Sequence, residues 1–500
     1  MTLLTTGGTV ALAQIDTSSV TSVIETVEEL RAAAAVGGVH ILSAASFLLD
    51  EPLVVSRDLT LYGADLNILV AADHDADSAP ALPSIIRVRW AAAGIIVTEG
   101  ARVRIGGIHF DGVVSGTIRS DGTRDSGDGL DLIRVLDGRF EVARSVFSRA
   151  RLGPIEEGRR YGRGSGIFVT GSASALIVDS VFIDNRLAAV ETVGKARVEV
   201  HNSIFASNLN GVLVEDDGLL GIYSSTFKDH PASALILRGA SRSVVSDSTL
   251  RANGASPDSG QTASDGVRIG NLANVTLTGN SFLDSPRYAV SVYGRGNVIS
   301  EGNLFAGNGG YIETEDQVRS ALIVEDEGTM RSTRDAFVDN PGGAIEVFGD
   351  ARFELIEAEV RGNGSGASIY MSDDVEVRIS GALVAENQGS VVAVGDARVT
   401  VQGGTYTSTR TDAFYLGGRA ELSLSSSEIR DNRGFGVAAG DDARAEIDGA
   451  VVTGNRDGGI SFLENASGYV INTHFGGNAA GRALVYRLDA DVRVEGNSTQ

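Results

Sequence analysis

The chain of 500 residues has no cysteine, 8 prolines, 3 methionines and one tryptophan. Without cysteine there is neither a disulfide framework nor thiolate chemistry, and the redox compartment leaves no trace. Six histidines are present, none at H-x-x-H or H-E-x-x-H spacing, which argues against a zinc centre. No apolar run approaches the roughly 20 residues a membrane helix needs. Positive charge is also scarce, with 42 Lys and Arg against 65 Asp and Glu, a formal net charge of −23. Nucleic acid and anionic membranes are recognised through basic patches, so neither is expected as a partner. A polyanionic glycan is disfavoured too, unless bound Ca2+ bridges it.

What the chain does have is 63 glycines and 42% hydrophobic residues, enough for a large core with many tight turns. Residues 1–14 end in Ala11-Leu12-Ala13 before Gln14, which has the A-x-A form of a signal-peptidase site but lacks the basic segment that normally precedes it. This stretch is expected to be a signal peptide or a disordered tail, with residues 15–500 forming one domain.

An aromatic or aliphatic residue recurs three positions before an Asn, as in Phe182/Asn185, Phe205/Asn208, Phe305/Asn308, Phe337/Asn340, Ile429/Asn432 and Phe475/Asn478. Most neighbouring copies lie 22 to 24 residues apart. Each period holds short strand-like runs such as ARVEV, SIFA and GVLVE, in which Val212 and Val214 alternate with Leu213. One such period cannot close a core, but parallel stacking at about 4.8 Å per coil buries a continuous column. The Asn has two expected jobs: tolerating left-handed backbone at the turn, and hydrogen-bonding to the Asn of the next coil.

These residues resemble the right-handed parallel β-helix proteins of the pectin-lyase-like superfamily. The resemblance covers nearly the whole chain and implies an all-β, single-stranded right-handed solenoid. It also implies a short N-terminal helix plugging the first coil, here opened by Thr26 and Glu29 at capping-box spacing, with the strand LTLYG following. The superfamily contains lyases, hydrolases, epimerases and non-catalytic adhesins, so the fold does not choose a function.

Departures from the period are more informative. The gap from the aromatic position to the next strand is ordinarily about seven residues. It grows to 16 after Leu250 and Phe305, and to 19 after Phe110 and Phe147. All four insertions share one corner, where loops framing a binding surface are expected. The first pair, 113–128 and 151–164, sets Asp128 and Asp131 near Arg160, Arg163 and Tyr161. The second pair, 254–265 and 309–320, flanks the coil 285–294 and is expected to leave a notch floored by Arg287, Tyr288 and Ser291, with Asp265 and Arg268 as further substrate-binding candidates. An outward stripe on the following strand is expected to run from Asp131 through Phe168, Glu191, Leu213, Ile236, Arg268, Ser291, Ile323, Glu346, Tyr370 and Ala393 to Tyr415. Tyr370 and Tyr415, two coils apart, would lie roughly 10 Å from each other, a workable spacing for stacking on sugars.

The acid set of the polygalacturonase branch does not carry over. Asp128 and Asp265 stand at its first position, but the paired aspartates and the G-H-G are missing, and Asp412 and Asp457 stand alone. A lyase-like reading uses Asp128 and Asp131 with Arg160 and Arg163 as base and charge neutraliser. The acidic turns at Asp216-Asp217, Glu325-Asp326-Glu327, Asp373-Asp374 and Asp441-Asp442 leave Ca2+ open as a ligand, against simple dilution in solvent. The leading expectation is an exported, secreted or periplasmic protein that binds or modifies polysaccharide or cell-surface glycan. If catalytic, it would be a lyase, hydrolase or epimerase. The alternative is a non-catalytic surface or structural β-helix that presents its loops to a protein partner.

Overall fold

The computed structural model describes residues 19–65, 81–89, 92–112, 129–153, 155–156, 159–254, 264–312, 317–364, 366–479, 482–486 and 491–499. Each coil consists of three strands and three turns. Arg197–His201, Ile204–Ala206 and Asn210–Val214 make one coil, and Leu219–Tyr223 opens the next. Along the body of the solenoid these strands pair in parallel with their counterparts one coil before and after. Phe205 sits between Phe182 and Phe227, and Val212 between Val190 and Leu235. The strands therefore form three long ladders, named here sheets 1, 2 and 3 in the order the chain visits them. Among the described residues sheet 1 has 19 strands.

The period-2 alternation sends one side of every strand inward, and a single apolar column runs from Ile24 to Phe475. Its spine is aromatic on aromatic. The Phe110, Phe147, Phe182, Phe205 and Phe227 rings stack nearly parallel at 5.2, 4.7, 4.9 and 4.4 Å. Leu250 interrupts the stack, which resumes at Phe282, Phe305 and Phe337. The helix Val27–Val36 closes the first coils, with Leu30, Ala33 and Ala34 buried. Its capping box forms as the spacing implied: the Glu29 amide donates to Thr26 Oγ1 at 3.2 Å and the Thr26 amide to Glu29 Oε2 at 3.1 Å.

The turn Asn performs one of its two expected jobs. Asn208 Oδ1 accepts from the Asn185 amide at 3.0 Å and from Asn185 Nδ2 at 2.8 Å, while Asn208 Nδ2 donates to the Phe182 carbonyl at 3.0 Å. The same pattern links Asn308, Asn340, Asn363 and Asn387. The left-handed conformation, however, belongs to the preceding residue: Asp184, Ser207, Asp229 and Asp339 have φ of 57°, 52°, 57° and 52°. A left-handed residue turns the chain, and the Asn that follows faces inward to satisfy backbone groups the turn leaves open. A second buried ladder, which the repeat motif did not reveal, sits at the turn from sheet 1 to sheet 2. There the Ser180, Ser203, Ser225 and Ser248 hydroxyls, then Asn280 and Asn303, bond coil to coil.

Replacing Asn208 with Ala strands the Asn185 amide and the Phe182 carbonyl in a dry interior, at about 1–3 kcal/mol for each unsatisfied group. Thermal or urea unfolding of Asn208→Ala should show that loss. The same change at the half-buried Asn478, in the last turns, should produce a smaller one.

Candidate functional site

All four insertions fall between a strand of sheet 2 and the next strand of sheet 3, and the described parts of two of them, 151–164 and 309–320, meet the outer face of sheet 3. Strand register fixes the outward row there as Arg134, Phe168, Glu191, Leu213, Ile236, Arg268, Ser291, Ile323, Glu346, Tyr370, Val392 and Tyr415. This corrects the expected stripe at two places. Leu132 and Ile133 are both buried, so the alternation slips and Arg134, not Asp131, pairs with Phe168. Ala393 faces the core, and Val392 pairs with Tyr370.

The described residues of 151–164 run along this row as a strap, held by bridges Leu130–Arg151 and Ile155–Gly162. The Arg159 guanidinium covers the Phe168 ring at 4.0 Å. Tyr161 packs on the Leu187, Leu213 and Ile236 cluster, and its hydroxyl accepts from Arg238 Nη1 at 2.8 Å. This is why outward apolar residues such as Leu213 and Ile236 are buried.

Beneath the strap is a buried ionic clasp. Arg159 Nη1 donates to Asp131 Oδ2 at 2.7 Å, and the other side of the guanidinium donates to Glu191. Asp131 Oδ1 also accepts from the Gly164 and Ser165 amides, both at 3.0 Å, and Ser165 Oγ donates to Glu191 Oε2 at 2.7 Å. Burial pushes the Glu191 carboxyl up to about 7, against the opposing pull of Arg159 and Ser165. Asp131 is fully buried here. The other residues expected beside it are dispersed: Arg163 holds Glu156, Arg134 holds the same carboxylate, and Arg160 is exposed with Glu215 at 4.0 Å. Asp128 and its loop 113–128 lie outside the described residues.

The insertion after Phe305 is built differently. Gly310–Ile312 and Gln317–Arg319 form an antiparallel hairpin. Arg319 Nη1 donates to the Tyr288 hydroxyl at 3.0 Å, which in turn donates to Glu346 Oε2 at 2.6 Å. The Ser320 amide donates to Glu346 Oε1 at 3.0 Å. Tyr288 and Ser291, expected to floor an open notch, are buried. Burial and the Glu346 carboxylate push the Tyr288 hydroxyl up. Arg287 Nε stands 3.7 Å from Asp265 Oδ1, and burial pushes Asp265 up while Arg287 opposes it. Arg268 lies 5.6 Å over the Tyr293 ring. That ring folds back across Gly270, where any Cβ would collide with it.

On the far side of the hairpin opens a groove of about 300 Å³, lined by Arg319, Ser320, Glu346, Phe348 and Tyr370 among others. The Phe348 and Tyr370 rings are 5.6 Å apart and inclined at 45°. Two coils on, past Val392, Tyr415 is 41% exposed. Glu346 is the one acidic residue of the row beside an open groove. Glu191, six coils away at about 4.8 Å per coil, is too distant to act with it as a carboxylate pair. Asp412 is less isolated than its sequence position implied: burial pushes it up, and the charge of Asp457 adds to the effect.

The acidic turns have a structural task. Asp216, Asp326, Asp373 and Asp441 are all left-handed. Their carboxylates accept the amides of Gly194, Gly294, Gly349 and Gly418, each one coil back. No group of three His, Asp or Glu suited to a metal ion occurs among the described residues.

Residues 160–316 and 320–480, well over half the chain, match the family model for a right handed beta helix region. The chain belongs to the right-handed β-helix family. Among solved structures, a periplasmic alginate epimerase shares 11% identity over 74% of this chain and 76% of its own, with a TM-score of 0.35. An alginate lyase shares 10% over 95% of this chain and 89% of its own, TM-score 0.35. A tailspike protein of bacteriophage CBA120 shares 10% over 90% of this chain and 59% of its own, TM-score 0.37. No curated protein matches significantly. No helix among the described residues of this β-helix is long and apolar enough to cross a membrane.

Sequence reasoning reached the overhanging corner of the β-helix but missed Arg159 as the keystone of the clasp, and Glu346 and Phe348 as groove residues. Glu346 was detectable as the acidic member of the same row as Tyr370. The Arg159 contact depends on how a long loop folds back, which no short-range pattern encodes.

Two outcomes are expected at the clasp. Arg159→Ala leaves Asp131 and Glu191 buried without the guanidinium they share, at about 3–5 kcal/mol, and limited proteolysis should then cut within 151–164. Glu191 retains a proton in the folded chain that the unfolded chain releases above its ordinary value of 4.5. Its contribution therefore lowers stability as pH rises from there to about 7. Melting temperature against pH should lose that component in Glu191→Gln.

Proposed function

We propose that this β-helix binds polysaccharide along the outer face of sheet 3, centred on the groove beside Glu346. The observation that carries the reading is the groove itself. Two inclined aromatic rings, Phe348 and Tyr370, stand next to a carboxylate held in place by Tyr288 and the Ser320 amide. Sugars present apolar C–H faces and outward hydroxyls, so a site pairing aromatic surface with fixed acceptors suits them. Tyr415 extends the same face two coils further. Asp265, Arg268 and Arg287 are not among the residues lining the groove. Strap residues Tyr161 and Phe168 contribute to the closed half of the face. Export, expected from residues 1–14, belongs to the same reading, since extracellular or periplasmic polysaccharide would be the natural ligand.

Native gels containing each of a set of polysaccharides test this directly. At least one should retard the chain, and Phe348→Ala combined with Tyr370→Ala should abolish the retardation while leaving the circular dichroism spectrum unchanged. Migration unaffected by every polysaccharide tried would sink the reading.

A further inference from the structure

We infer that the groove at Glu346 takes a neutral, hydroxyl-rich glycan rather than a uronate polymer, an inference that rests on the binding reading above. Among the described residues, most cations of the sheet 3 face stand beside a carboxylate, some of them sharing one. Arg159 bridges Asp131 and Glu191, and Arg134 and Arg163 share Glu156. Arg238 faces Glu215 at 3.8 Å and Arg287 faces Asp265 at 3.7 Å. Arg268 and Arg319 lie in the field of Asp265 and Glu325, where their charges oppose the rise that burial imposes on both acids. The groove lining itself holds one cation, Arg319, and one carboxylate, Glu346, and so carries no net positive charge with which to attract a polyanion.

The rest of the molecule repels one. With a net charge of −23, the field around the chain slows and weakens the approach of any polyanion, most strongly at low salt. On its Glu346 side the groove accepts hydrogen bonds. Each Glu346 oxygen uses one lone pair on Tyr288 or Ser320, and the lone pairs left over call for O–H donors. A neutral sugar supplies these as charge-assisted bonds, whereas a uronate would place its carboxylate against Glu346. Tyr370 and Tyr415, two coil rises or about 10 Å apart, offer ring faces to successive parts of such a chain.

The experiment is affinity electrophoresis of the full chain in gels containing dextran, mannan, polygalacturonate or alginate, each at low and high salt. The expected result is retardation by a neutral polysaccharide that changes little with salt. Retardation should weaken about tenfold in Tyr370→Ala and in Glu346→Gln, a loss of about 1.4 kcal/mol in either case. If either variant melts well below the parent, the exposed Tyr415→Ala provides the same comparison. Preferential binding of polygalacturonate or alginate overturns the inference and leaves the binding reading standing. Binding to none of the four at either salt removes support from both.

Discussion

Every residue in the body of this protein sits above its own counterpart one coil away, and the rest of the structure depends on that in-register stacking. A parallel ladder with a rise near 4.8 Å places like positions in contact, so each position must hold a residue that tolerates a neighbour of its own kind. Phenyl rings do so by stacking, and Asn does so because its amide both donates and accepts. Serine hydroxyls serve equally well at the turn between sheets 1 and 2. Charged residues cannot repeat in this way, and the outer surfaces show how they are accommodated. On sheet 1, five consecutive coils present Arg352, Glu376, Arg398, Glu421 and Arg444 in one row. Each of the three inner charges there lies between two of opposite sign, an arrangement that stabilises cross-strand pairs.

The sheet 3 row follows no such rule. It passes from Arg134 and Phe168 through Glu191 to two aliphatic residues, then through Arg268, Ser291 and Ile323 to Glu346 and Tyr370. Stacking alone would favour either alternating charge or uniform polarity on an outer face. The irregular sequence makes sense only with the loops in place. Where the strap covers the row, apolar residues and a desolvated clasp lie beneath it. Where the hairpin leaves the row open, an acid and aromatic rings face the groove.

Much of this was legible in the chain. The period gave the solenoid, the capping box gave the helix, and the lengthened gaps gave the corner that carries the loops. What the sequence could not give was set by longer-range geometry. The residue that turns the chain and the residue that locks the turn are adjacent, and only backbone angles tell Ser207 from Asn208. The clasp needs Arg159 to reach back 28 residues in sequence to Asp131 and forward 32 to Glu191, across a loop with no repeat to guide it. The acidic turns read either as charge diluted in solvent or as ligands for a cation, because their role as acceptors for left-handed turns appears only when the next coil is in view.

Glu191 and Glu346 show how far context governs chemistry on this scaffold. They occupy the same outward row of the same sheet, six coils apart, on strands of near-identical pattern. At Glu191 a loop folds down, excludes water and supplies a guanidinium, so the carboxyl is pushed up to about 7 and the pair serves as a clasp. At Glu346 a hairpin stands to one side, and the carboxylate is oriented by a tyrosine hydroxyl and an amide at the edge of an open groove. The coil fixes where each carboxylate stands. The insertion beside it decides whether that carboxylate secures the fold or meets a ligand, so function in this solenoid can change through its loops while the ladder beneath stays the same.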